Sequence, residues 1–183
     1  MAVHNEISTQ QSTDYLDSRE IKSNPNGIKV RLFGDQFMGY SYYQKYVKDD
    51  GSDGVRVVRS KDFPVMKDET EGFKGSVQTP AKNLYSVAYD YDQEKAVLLT
   101  LDKVAIITEF MDVEKSEDLK SMIDYDFRIT YDANKAPAQK YKVQRLDSKD
   151  ISAAMKKTLE EFESNTNIQG YSEGGDAFEK TEE

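Results

Sequence analysis

Cysteine is absent from the 183-residue chain, which excludes disulfides, thiolate nucleophiles, iron–sulfur clusters and every cysteine-ligated zinc site. Histidine occurs once, as His4 in a polar N-terminal stretch. The motifs G-x-S-x-G, G-x-x-x-x-G-K-[ST] and H-E-x-x-H are all missing, so the common hydrolase, P-loop and metalloprotease chemistries have no foothold. The start MAVHNEISTQQS has neither the basic nor the apolar region of a signal peptide, and a cytosolic location is expected. No apolar run approaches the roughly 20 residues that span a bilayer. The densest stretch, AVLLTLDKVAIITEF, is broken by Asp102 and Lys103. Apolar residues at 37% against 32% charged suit one globular domain with polar flanks.

What the chain does have is acid, and it is unevenly placed. The formal charge is −9, of which residues 160–183 carry −7 and residues 1–26 carry −2, while residues 27–159 are neutral. Within that neutral body, residues 27–61 hold seven bases against four acids. The acidic balance therefore describes the C-terminal tail and leaves room for a basic surface in the body.

Residues 1–26 are polar, lack sustained periodicity and end in the turn-forming run Ser23-Asn24-Pro25-Asn26-Gly27, which predicts a flexible arm. In GIKVRLF, Ile28, Val30 and Leu32 alternate with Lys29, Arg31 and Phe33, the period of a half-buried strand with a basic and aromatic outer face. QFMGYSYYQKYV and VRVVRS flank two Asp-Gly pairs and read as a hairpin. Residues 60–83 read as a long loop, a candidate flap. LYSVAYDY and KAVLLTL predict a second hairpin, then a helix from Asp102 to Met111, for which a strand is the competing reading. A helical turn from Ser116 follows, with Leu119, Met122 and Ile123 inward. YDFRITY and AQKYKVQRL predict a third hairpin carrying Arg128, Lys140 and Lys142 outside. Residues 148–163 predict a helix with Ile151, Met155, Leu159 and Phe162 in one stripe. Residues 164–183 are too polar and Gly-rich to form a core and are expected to be disordered. This order of elements predicts a mainly β domain over residues 27–163, an OB-fold-like Greek-key barrel with a short helical insert; a β-sandwich is the alternative.

Acidic motifs give little. Asp50-Gly51-Ser52-Asp53-Gly54 resembles the start of a calcium loop, but Ser60 stands where the bidentate glutamate belongs. The triplets Asp90-Tyr91-Asp92 and Asp124-Tyr125-Asp126 lack the further acids a metal pair needs and read as strand-end turns. No metal, cofactor or catalysis is expected. The aromatic pattern says more. Tyr40, Tyr42, Tyr43 and Tyr46 fall with Lys45 within nine residues, which puts rings on both faces of one strand. Such rings either pack a sheet or stack on the bases of a single strand, with neighbouring Lys and Arg neutralising phosphates. The candidate nucleic-acid contacts are Lys29, Arg31, Phe33, Tyr40, Tyr42, Tyr43, Lys45, Tyr46, Arg56, Arg59, Arg128, Lys140 and Lys142.

The segments KVRLFGDQFMGY, VAYDYDQEKAVLLTLDKVAIITEF and YDFRITYDANKAPAQKYKVQRL together resemble the OB-fold single-stranded-DNA-binding, or helix-destabilising, proteins of tailed bacteriophages, over about residues 27–163. The resemblance implies a groove for single-stranded DNA, a role in replication, recombination or repair in the host cytoplasm, and no catalysis. It also implies an acidic C-terminal tail that contacts replication and recombination proteins, here Tyr171, Glu173, Asp176, Phe178, Glu179, Glu182 and Glu183. The rival reading is an acidic protein-interaction module or DNA mimic that inhibits a DNA-binding enzyme.

Overall fold

The computed structural model describes residues 14–66 and 78–178. Its frame is a seven-stranded mixed sheet in the order β1-β5-β4-β2-β6-β7, with β3 added to β2. The strands are β1 (Tyr15–Asp17), β2 (Ile28–Val47), β3 (Asp53–Ser60), β4 (Ala81–Asp90), β5 (Lys95–Leu101), β6 (Tyr125–Tyr131) and β7 (Tyr141–Ser148). The helices are α1 (Ser18–Ser23), α2 (Val104–Lys115), α3 (Ala153–Ser164) and α4 (Ile168–Ser172).

The mainly β reading holds, but the sheet is open: among the described residues no ladder joins β1 to β7, and β1 runs parallel to β5. The physical reason lies in β4 and β5. Leu84, Ala88, Leu99 and Leu101 bury one face, while Tyr85, Val87, Ala96 and Leu98 bury the other. A small barrel hides one face of its sheet; strands apolar on both faces need a layer on each side. On the first face, Ile106, Ile107 and Phe110 of α2 and Ile21 of α1 cover Val30, Leu32, Phe127 and Ile129. On the second, Leu159 of α3 and Ile168 of α4 cover Tyr85, Val87 and Leu98, with Phe33, Phe37, Met155 and Phe162 half-buried around them.

The two strands expected at residues 28–33 and 36–47 are one. β2 runs through a bulge in which Gly34 and Asp35 are displaced from the register with β4. Gly34 has φ of 64°, a conformation that strains any other residue, and the Glu163 carboxylate of α3 fills the space where a Cβ would stand.

Three further expectations are corrected. The arm is structured from residue 14: Leu16 is buried beside Leu99, and α1 starts with a reciprocal cap in which Asp17 accepts from the Arg19 N–H and Glu20 accepts from the Asp17 N–H. Residues 1–13 lie outside the described residues, as do residues 67–77 of the expected flap. Asp102 does not cap α2; it accepts the Ser18 hydroxyl instead, and Val104 points outward while Ile106 and Phe110 turn in.

The tail is the third correction. As far as Phe178 it packs on the second face: the Asn167 N–H donates to the Ala177 carbonyl at 2.7 Å, closing a loop that buries Ile168 and Ala177. Tyr171 and Phe178 place their rings 5.8 and 5.4 Å from Tyr15. Overall polarity masked these four apolar residues. Removing residues 165–183 is expected to lower stability by about 3 kcal/mol or more, a fall in Tm of about 6–12 °C by calorimetry. An unchanged Tm would mean that the loop does not hold the second face together.

Candidate nucleic-acid interface

The structure divides the expected contact residues into three groups. The first lies on the hairpin of β2 and β3. Beyond Ser41 this hairpin leaves the layered body, and the backbone of Tyr43 is met on its far edge by the side chain of Gln78, which donates to its carbonyl at 2.8 Å and accepts from its N–H at 3.1 Å. Strand alternation then sorts the side chains. On one face Tyr40, Tyr42 and Tyr46 stand two or four residues apart, with Gln44 and Arg56 between them. Arg56 donates twice to Gln44, at 2.9 and 2.6 Å, and its guanidinium lies 5.6 Å from the centre of the Tyr46 ring. Tyr46 lies flat over Gly54, where a Cβ would come within 2.7 Å of the ring. Tyr40 meets Phe63 edge-on at 5.2 Å. The opposite face presents Tyr43, Lys45, Val47, Val55 and Val57, with Tyr43 53% and Val47 69% exposed.

The second group surrounds Asp126. This carboxylate is only 1% exposed, yet it meets three cations: Lys29 at 3.0 Å, Lys149 at 3.3 Å and Arg31 at 3.4 Å. Tyr91 donates its hydroxyl to Asp126 at 2.7 Å, and the Lys29 ammonium sits 4.0 Å over the Tyr91 ring. Burial alone raises the Asp126 pKa, but the hydrogen bonds from Tyr91, Lys29 and Lys149 outweigh it and hold the carboxyl below its usual range. Burial, and then the bond to Asp126, push the Tyr91 phenol upward, so it stays a neutral donor. Arg31 was expected on an outer face. It is 5% exposed, with Nε on the Ile123 carbonyl at 2.5 Å and Nη1 on the Lys149 carbonyl at 2.9 Å, so it is a buried residue and not an outer one. Phe33 is likewise taken up, against α3. Lys149 was missed from sequence because it lies in the irregular link before α3.

The third group is split between the two ends of the sheet. Arg128 sits directly opposite Lys29 across β2 and β6, and Lys142 opposite Thr130 across β6 and β7, so all share one face. Lys140 precedes β7 at the end of a short 3-10 turn. Arg59, at the base of the hairpin, is occupied by the tail. Its Nε donates to the Tyr171 carbonyl at 2.7 Å and its Nη2 to the Gly175 carbonyl at 3.0 Å, while its guanidinium stacks 3.9 Å from the Tyr171 ring. Tyr171 and Phe178 therefore serve packing, and Glu173 and Asp176 stay exposed on the loop; Glu179, Glu182 and Glu183 lie outside the described residues.

Among the described residues no cluster of acidic side chains and histidine forms a metal site, and no helix is long and apolar enough to cross a membrane. Asp90, in the first acidic triplet, accepts from the N–H groups of Asp92 and Gln93 and shapes the β4–β5 turn. Searches among protein-family models, curated proteins and solved structures give no match to this chain.

Replacing Asp126 by Asn leaves three cations around a neutral amide and is expected to cost about 3–5 kcal/mol of stability, measured by denaturant unfolding at neutral pH. The lowered pKa sets the sign of the pH dependence. The difference from wild type is full above about pH 4 and closes as pH falls through the Asp126 pKa, where the natural carboxyl also becomes neutral. A difference that persists unchanged at acid pH would show that charge is not its cause.

Proposed function

We propose that the protein binds single-stranded nucleic acid, in the first place DNA, through the β2–β3 hairpin, without catalysing a reaction on it. The observation that carries this reading is the row Tyr40, Tyr42 and Tyr46 with Arg56 held between the rings, on a hairpin that runs on past the end of its pairing with β4 at Ser41. Unstacked bases find flat apolar partners there, each worth about 1–3 kcal/mol, and a guanidinium neutralises the phosphates between them. Duplex DNA keeps its base faces stacked and hidden from such rings, so the row favours unpaired bases. The reading keeps the binding mode of OB-fold proteins, an aromatic and basic sheet surface, and needs no closed barrel. It supports a role in covering single strands during replication, recombination or repair.

The acidic C-terminus fits the same function. Arg59 is held by the loop of residues 171–175, and the acids at 179, 182 and 183 follow Phe178 in the sequence, a short tether that raises their effective concentration near the body. They serve as a contact for replication or recombination proteins and as a charge competitor for DNA.

Binding of a labelled oligo-dT and of a duplex of the same length, followed by fluorescence anisotropy over a range of salt, tests the function. The single strand is expected to bind more tightly. Tyr42→Ala and Tyr46→Ala should each weaken it by about 1–3 kcal/mol with little change in Tm. Equal or tighter duplex binding sinks the proposal.

A further inference from the structure

The other end of β2 carries the second concentration of positive charge, on the order of 40 Å of strand away from the hairpin tyrosines. We propose that Lys29 and Lys149, gathered around Asp126 at the bare β6–β7 half of the sheet, form a binding site for a phosphate group that continues over Arg128 to Lys142. That the phosphate belongs to a nucleic-acid backbone rests on the function proposed above; the site itself does not.

Charge is out of balance around Asp126. One buried carboxylate faces three cations, and among the described residues Asp126 is the only acid within ion-pair distance of Lys29, Arg31 or Lys149. The cluster is left with an excess of positive charge in a partly desolvated place, where a Coulomb interaction is stronger than in water. Both ammonium groups reach the same carboxylate oxygen, Oδ2, which brings them within bridging distance of one small anion. An ammonium has three donors. Each of these gives one to Asp126 and also faces the Tyr91 ring, at 4.0 Å from Lys29 and 5.6 Å from Lys149, and the exposed Lys149 ammonium has donors left for a ligand.

Arg31 explains why the two lysines converge. Its Nε and Nη1 are taken by Ile123, Asp126 and Lys149, and the bond to the Lys149 carbonyl at 2.9 Å anchors the link before α3 beside the start of β2. Arg31 is thus a positioning residue and not itself a contact.

The surface beside the cluster is open. α3 packs mainly on β4 and β5, and α4 on β2, β3 and β4, while Lys142 and Gln144 of β7 are exposed on this face. There Lys29 lies opposite Arg128, Arg128 opposite Gln144, and Thr130 opposite Lys142. A chain of phosphates entering at Lys149 and Lys29 meets donors at each step across the strands.

The test uses the full chain with Lys149→Gln and Lys149→Glu, whose half-exposed side chain can be changed without opening the core. Three probes are titrated: inorganic pyrophosphate, followed by Tm; oligo-dT; and an abasic deoxyribose-phosphate oligomer of equal length. Pyrophosphate is expected to raise the Tm of the wild type and to do so less for Lys149→Gln and least for Lys149→Glu. Both oligomers should lose affinity several-fold at low salt, with the salt slope of Lys149→Gln reduced by about 0.7. Tyr46→Ala should weaken oligo-dT alone. If pyrophosphate stabilises the wild type through Lys149 but oligo-dT does not bind, the site stands as one for a free phosphoanion and the function proposed above fails. If Tyr46→Ala weakens oligo-dT while both Lys149 variants match the wild type with every probe, the phosphate site is overturned and nucleic-acid binding stands.

Discussion

The twenty residues of β2 hydrogen-bond to β4 along one edge and to β6 and then β3 along the other, so a single strand fixes where every other part of the sheet can lie. The bulge at Gly34 and Asp35 lets this strand follow a twisted sheet while Glu163 of α3 presses against the glycine. Because β6 ends its pairing at Arg31 and β3 begins at Tyr40, one edge of β2 holds a cation cluster at its start and an aromatic ribbon at its end. The two surfaces proposed to bind nucleic acid are thus placed by one constraint.

The second helical layer links those surfaces to the C-terminus. The link into α3 starts at Lys149, beside Asp126, and the loop after α4 meets Arg59, at the base of the hairpin. A segment that looked like a solvated tail is a strap across the sheet, and only the last acidic residues follow it. It also holds Arg59 by carbonyl groups and by the Tyr171 ring, which removes one cation from the hairpin side of the proposed interface.

Much of the body was legible in the sequence because period-2 and period-3.6 patterns report burial directly. Ile28, Val30, Leu32, Phe127 and Ile129 point inward as alternation requires, and Met155, Leu159 and Phe162 form the stripe of α3 against the second face. Alternation misled where both faces are buried. In β4, Leu84 and Ala88 are as buried as Tyr85 and Val87, a signature of a sheet with helices on both sides and not of a barrel. The same logic failed for Arg31, since an alternating position says which face a residue takes but not whether something covers it. The Asp126 cluster joins residues 29, 31, 91, 126 and 149, and no local pattern announces so long-range a set. The strap was hidden by composition: four apolar side chains among glycines and acids suffice once Asn167 and Ala177 close the loop.

On the proposed function, single-stranded DNA lies on the β2–β3 hairpin. The most direct measurement is photocrosslinking of a bromodeoxyuridine-substituted single strand to the full chain, with the attached residues mapped by mass spectrometry. The account predicts adducts on Tyr42, Tyr46 and their neighbours within residues 40–59. Adducts confined to α2 and the first sheet face, or none at concentrations that saturate binding, would contradict it.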